Sequence, residues 1–331
     1  MPDPATPGIE LIDIHAALGG TWVLRGVSLA APRGKVTAIL GPSGVGKTTC
    51  LRVITGLLAP DEGDVLVEGR STLHMSKKER LELSRRFGVL LQGSGLYGSA
   101  LWESMTIEQN LIHQLTAQRR GRDVEMQARA REWLQMIGLS ASAELMPSTL
   151  SAGMRRRLAL ARALAADPEF AVLDSFELGV DPVRLTELIK LVARAHERTE
   201  GTYVIATQSM QVARELADEL VVLWRGHVIE QGPADDVFNS EQPEVHQLIN
   251  GLTDGPMGMH GEVRRPPRPA PVSDRKHIEE TFELPVPLVA IAVLMIVTAS
   301  ALFLGHGGTP EIVAVLVFWA LTLLALALRR G

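Results

Sequence analysis

The segment GPSGVGKTT, Gly41 to Thr49, constrains the fold of this chain more than any other stretch. It fits the pattern G-x-x-x-x-G-K-[ST], with Gly41, Gly46, Lys47 and Thr48 at the fixed places. The apolar run Val36–Leu40 ahead of it reads as a buried strand, and TTCLRVITGL behind it reads as a helix. Strand, loop and helix in that order belong to a parallel sheet with helices on its faces. The loop's chemistry lies in its backbone. Gly41, Gly44 and Gly46 allow turns tight enough for successive N–H groups to converge on an anion, with Pro42, Ser43 and Val45 between them. The helix beginning at Lys47, Thr48 and Thr49 adds its positive dipole end. Lys47 is then placed for β- and γ-phosphates, and the Thr48 hydroxyl for Mg²⁺. The segment implies a site for a nucleoside triphosphate.

The rest of the chain divides into three parts. Residues 1–253 alternate apolar, strand-like runs with amphipathic helical stretches, the pattern of an α/β domain. Strands are expected at 36–40, 64–68, 87–92, 170–174 and 203–207, and a hairpin over 220–232 turning at Arg225-Gly226. Helices are expected at 47–57, 123–137, 151–165, 182–197 and 209–217. A formal net charge of −5 over 331 residues argues against a nucleic-acid partner. The lone cysteine, Cys50, falls inside the helix after the loop and reads as packing.

Residues 254–285 are rich in Pro and Arg and read as an extended linker. Beyond them, 286–304 and 312–328 are free of charge, and each holds eleven Leu, Ile, Val or Phe residues. At membrane-insertion values each run favours transfer into lipid by roughly 3–7 kcal/mol. GHGGTPE between them is short enough to force a two-helix transmembrane hairpin. Arg264, Arg265, Arg268, Arg275 and Lys276 precede the pair, and Arg329 and Arg330 follow it. By the positive-inside rule both termini are expected on the cytoplasmic side, together with the nucleotide domain.

Five pieces in fixed order carry a family resemblance. They are GPSGVGKTT, Gln92 in VLLQGSG, LSAGM at 150–154, AVLDSFELGVDP at 171–182 and VIATQSM at 204–210. Over residues 8–250 the chain resembles the nucleotide-binding subunit of ABC transporters. The resemblance implies a P-loop NTPase of the ABC type, with a RecA-like core plus a helical signature subdomain. It implies ATP and Mg²⁺ as ligands, Asp174 and Gln92 joining Thr48 around the metal, and a role for Gln92 in contacting the membrane partner. It also implies a head-to-tail homo- or heterodimer. There Ser151 and the N–H of Gly153 from one subunit contact the γ-phosphate held by the other, and Asp181 lies at the dimer seam. LMPSTLSAGMRRRLALARAL and HQLINGLTDGPMG further resemble the ATPases of Mla/MCE bacterial lipid importers. That likeness implies a bacterial cytoplasmic membrane, a separate permease and an MCE-type lipid-binding protein.

Several positions depart from the family pattern. Ser175 stands where the family has the Glu that polarises the attacking water, and Gln208 where it has the switch His. Loss of a general base typically costs about 10²–10⁴ in rate. Glu177 lies two residues further on, but an extended strand does not return it to the same point, so it is not expected to substitute. Ala152 replaces the usual signature Gly, and Leu18 takes the place of the adenine-stacking aromatic, with Trp22 as the candidate substitute. Arg155, Arg156 and Arg157 read as solvated or capping charges. Two readings therefore compete: a transport ATPase, and a catalytically weak subunit that is the regulatory or structural partner in a heterodimer.

Overall fold

The computed structural model describes residues 6–91, 101–118 and 122–257. The linker 254–285, apart from its first four residues, and the hairpin 286–328 lie outside the described residues, as does Gln92. In chain order the elements are β1 (Ile9–Leu18), β2 (Thr21–Ala31), β3 (Val36–Leu40), α1 (Lys47–Ile54), β4 (Glu62–Val67), β5 (Arg70–Ser71), α2 (Lys77–Ser84) and β6 (Phe87–Leu90). There follow α3 (Ile107–Ala117), α4 (Asp123–Met136), α5 (Ala152–Leu164), β7 (Phe170–Asp174), α6 (Pro182–Thr199) and β8 (Thr202–Thr207). The last are α7 (Met210–Leu216), β9 (Glu219–Trp224), β10 (His227–Pro233), α8 (Ala234–Phe238) and α9 (Pro243–Asn250).

Six strands form one sheet in the order β10-β9-β3-β8-β7-β6. All neighbours in it are parallel except the β9–β10 edge pair. Every residue of β3, β7 and β8 is buried, as expected of a parallel sheet covered on both faces. Alternation along a strand divides those residues between two cores. Ala171, Leu173, Tyr203 and Ile205 face a cluster built from α3, α4, α5 and α6. Phe170, Val172, Val204 and Ala206 face a second cluster that includes Cys50 and Leu51 of α1 and the inner faces of β1, β2 and β4. These last strands belong to a separate antiparallel sheet, β2-β1-β4-β5. Ala38, Leu40, Leu220 and Val222 pack with residues of α7, α8 and α9 in a third cluster.

Among the described residues, the strands and helices expected between 36 and 232 all appear, with ends shifted by a few residues. The β9–β10 hairpin turns at Arg225 (φ 52°) and Gly226 (φ 82°), as expected. The β1–β2 hairpin was not anticipated, although its signal is present. Gly19 and Gly20 both have positive φ (58° and 79°) and join two runs of apolar residues, as a two-residue hairpin turn requires. Also unanticipated were α2 and α3, each opened by a capping box: Ser76 with Glu79, and Thr106 with Gln109.

One buried side chain organises the entry to α3. Asn110 is fully buried. Its Oδ1 accepts from Trp102 N at 2.8 Å, and its Nδ2 donates to Trp102 O, Met105 O and Thr106 O at 2.9–3.1 Å. Asn110→Ala would strand the Trp102 N–H in the interior. We expect a destabilisation of about 1–3 kcal/mol, seen as a lower urea midpoint with an unchanged denaturant slope.

Candidate functional site

The carboxyl ends of three adjacent parallel strands converge on one cleft. In register, Leu40 at the end of β3 lies beside Thr207 at the end of β8, and Ala206 lies beside Asp174 at the end of β7. Residues 41–46 leave β3 as a loop that feeds α1. Close packing dictates its glycines. A Cβ on Gly41 would lie against the Leu223 carbonyl oxygen. Gly46, the N-cap of α1, has φ 112°, and a Cβ there would approach Leu24 Cδ2 to 2.7 Å. Only a residue without a side chain fits either place.

The cleft encloses about 820 Å³ and is lined by Ser43, Gly44, Gly46, Lys47, Thr48, Thr49, Asp174, Ser175, Glu177 and Gln208, among others. That size suits a small organic ligand. Lys47 is buried, and its Nζ donates to Gly41 O and Pro42 O, both at 2.7 Å. Burial pulls its ammonium below the ordinary lysine range, while the charges of Asp174 and Glu177 oppose that shift. Thr48 Oγ1 donates to Asp174 Oδ2 at 2.8 Å. A hydroxyl and a carboxylate so placed are hard oxygen donors of the kind Mg²⁺ accepts beside phosphate and water, so the residues present fit that ion.

Ser175 follows Asp174 directly and is buried, with its Oγ donating to Asp174 Oδ1 at 3.3 Å. Its φ of 46° is left-handed, unusual for a residue bearing a side chain. The strand therefore stops at Asp174 and the chain reverses, with Leu178 N donating to Ser175 O at 3.1 Å. Phe176 swings fully into the core, and Glu177 returns to the cleft. This corrects the expectation from extended-strand geometry that Glu177 points elsewhere.

Gln208 reaches the phosphate loop from β8. Its Nε2 lies 3.0 Å from Ser43 Oγ and donates to it. Leu18 and Val23 line the same cleft, whereas Trp22 stands edge-on to His15 at 5.8 Å and is not among the lining residues. Ser151 caps α5, accepting from Met154 N at 3.3 Å, and neither it nor Gly153 in the first turn lines the cleft. Asp181 caps α6 through Arg184 N at 3.1 Å. Of the three arginines, Arg155 pairs with Glu103 at 2.7 Å, and Arg157 donates to the Ile137 carbonyl at the end of α4. Cys50 is fully buried, and burial pushes its thiol up to about 12, which leaves it inert.

The family described as ABC transporter matches residues 24–176. The intermembrane phospholipid transport system ATP-binding protein MlaF of Escherichia coli (strain K12) is 32% identical over 249 residues, covering 75% of this chain and 91% of that protein. The probable ribonucleotide transport ATP-binding protein mkl of Mycobacterium leprae (strain TN) is 34% identical over 259 residues, covering 78% and 73%. This chain is an ATP-binding subunit of the ABC transporter family. Among solved structures it is similar to a dimeric bacterial ABC transporter cassette, at TM-score 0.63 and 28% identity, over 68% of this chain and 98% of that one. The same cassette in a post-hydrolysis state, bound to ADP and Pi, gives a TM-score of 0.62.

The ABC domain binds ATP, and the cleft at the ends of β3, β7 and β8 has the groups for it. Lys47 is the cation closest to the loop's own carbonyls, and no substitute stands beside it among the described lining residues. Lys47→Ala should therefore abolish ATP binding. Near-normal affinity of that variant in equilibrium binding of a fluorescent ATP analogue would show that the cleft is not the nucleotide site.

Proposed function

We propose that this subunit couples ATP binding and hydrolysis to the movement of a lipid or other hydrophobic substrate through a separate permease at a bacterial cytoplasmic membrane. Its likeness to MlaF along 91% of that protein's length carries this reading. In it, the backbone of Gly41–Thr49 cradles the phosphates, Lys47 neutralises their β and γ charges, and Thr48, Gln92 and Asp174 hold Mg²⁺. That ion, when bound, offsets phosphate charge during transfer.

The nucleotide site of one chain is incomplete in this reading. Ser151 and Gly153 sit at the N-terminus of α5 and do not line the chain's own cleft, with their N–H groups suited to an anion. A second cassette in head-to-tail contact would supply them, and the solved relative is itself dimeric. The dimer is of two copies or of this chain with a related subunit. An MCE-type lipid-binding protein is the further partner that the lipid-import reading brings. The hairpin 286–304 and 312–328 would hold the cassette at the membrane with both termini cytoplasmic. Deleting residues after 277 should then shift the protein from the membrane to the soluble fraction when it is expressed without a permease. Protease applied from the outer side of the membrane should cut nowhere in the Pro-rich linker.

Ser175 and Gln208 favour a second reading, a slow subunit that binds ATP and closes the dimer beside a more active partner. The slow-subunit reading sets its own expectation for the purified chain. It should bind MgATP well and hydrolyse it slowly, since a general base contributes to rate far more than to ground-state affinity. Ser175→Glu should raise kcat by about tenfold or more and leave nucleotide affinity near that of the natural chain. Turnover at ordinary transporter rates, unchanged by Ser175→Glu, would remove the slow-subunit reading.

A further inference from the structure

Glu177 has no assigned part in the family pattern, yet its carboxylate is held as a working group would be. Its Oε1 accepts from Thr207 Oγ1 at 2.5 Å. The ionised carboxylate has no hydrogen to give, so Thr207 donates, and its Oγ1 also accepts from Ser209 N at 2.9 Å. Gln208 N lies at 3.4 Å from the same oxygen. The other oxygen, Oε2, is buried and has no hydrogen-bond partner among the described residues. A buried, unpaired carboxylate oxygen is costly, and such groups are rare in folded proteins unless a ligand or water meets them. This one belongs to a side chain that lines the nucleotide cleft with Lys47, Thr48 and Asp174, and its charge reaches the Lys47 ammonium. The adjacent residue, Gln208, touches Ser43 of the phosphate loop. Glu177 is thus tied to the element that contacts the loop while keeping one oxygen uncommitted.

We propose that Glu177 is the carboxylate that orients and deprotonates the attacking water in this subunit, in place of the absent carboxylate at Ser175. The proposal rests on the ATPase reading above. The step balances as an ordinary hydrolysis. The water oxygen forms a bond to the γ-phosphorus, and the bond from that phosphorus to the β,γ-bridging oxygen breaks. The electron pair leaves with ADP. One water proton passes to the Glu177 carboxylate and is then released to solvent, giving ADP, inorganic phosphate and a proton. Ser175 is poorly suited to this task, because its hydroxyl is turned to Asp174 Oδ1 and a serine has no basic lone pair near neutral pH. Thr207 and Gln208 act as positioning residues that aim the carboxylate.

The test uses the full chain and compares the natural sequence with Glu177→Gln, Thr207→Val, Ser175→Glu and the double variant Ser175→Glu/Glu177→Gln. MgATP affinity and steady-state hydrolysis are measured for each. The natural chain should turn over slowly but measurably. Glu177→Gln should lower kcat by about tenfold or more with affinity unchanged, and that unchanged affinity also reports an intact fold. Thr207→Val, which keeps the carboxylate but removes its clamp, should show a smaller loss in kcat. The double variant should recover turnover, since a carboxylate again faces the water. A purely structural latch gives the opposite pattern: the double variant stays inactive while Ser175→Glu alone is active. That result overturns the proposal, as does a kcat for Glu177→Gln within twofold of the natural chain, or MgATP binding with no turnover at all. Failure of the natural chain to bind MgATP would instead sink the nucleotide reading, and this proposal with it.

Discussion

Parallel pairing of β3, β8 and β7 in one register is the constraint on which the site depends. Leu40 beside Thr207, and Ala206 beside Asp174, bring the phosphate loop, Gln208 and the carboxylate of Asp174 to one edge of the sheet. A slip of one residue in any of these pairs would turn Val172, Val204 or Ile39 from one core to the other and carry the cleft residues with them. The register is therefore held by burial on both faces, not by the polar groups it positions. The helical cluster of α3–α6 secures one face, and α1 with the antiparallel sheet secures the other.

Polar contacts then refine what the sheet brings together. Thr48 and Asp174 meet across 126 positions of sequence, and Ser43 meets Gln208 across 165. The first pair sets two oxygen donors side by side. The second links the phosphate loop to the end of β8, its neighbour in the sheet. Gln208 gives that link a hydrogen-bond donor that does not ionise.

The turn after β7 decides which of its side chains reach the cleft. Ser175 adopts a left-handed conformation, its N–H bound to Ala206 O at 2.8 Å, and so ends the strand one residue earlier than a continuous extended run would. The same turn that buries Phe176 brings Glu177 back.

The phosphate loop, its strand and its helix were legible from sequence because their geometry is local. Within ten residues, Gly44 and Gly46 take positive φ (76° and 112°), so the motif and the conformation are one fact. The buried strands were legible likewise, since two-sided burial leaves mostly apolar residues and no alternation. What the sequence could not settle was the place of Glu177. Its position follows from one left-handed residue and a hydrogen bond to Thr207, 30 residues away, and neither has a local signature. Tertiary structure decided that point, because only the β7–β8 pairing sets Thr207 where it can hold the carboxylate.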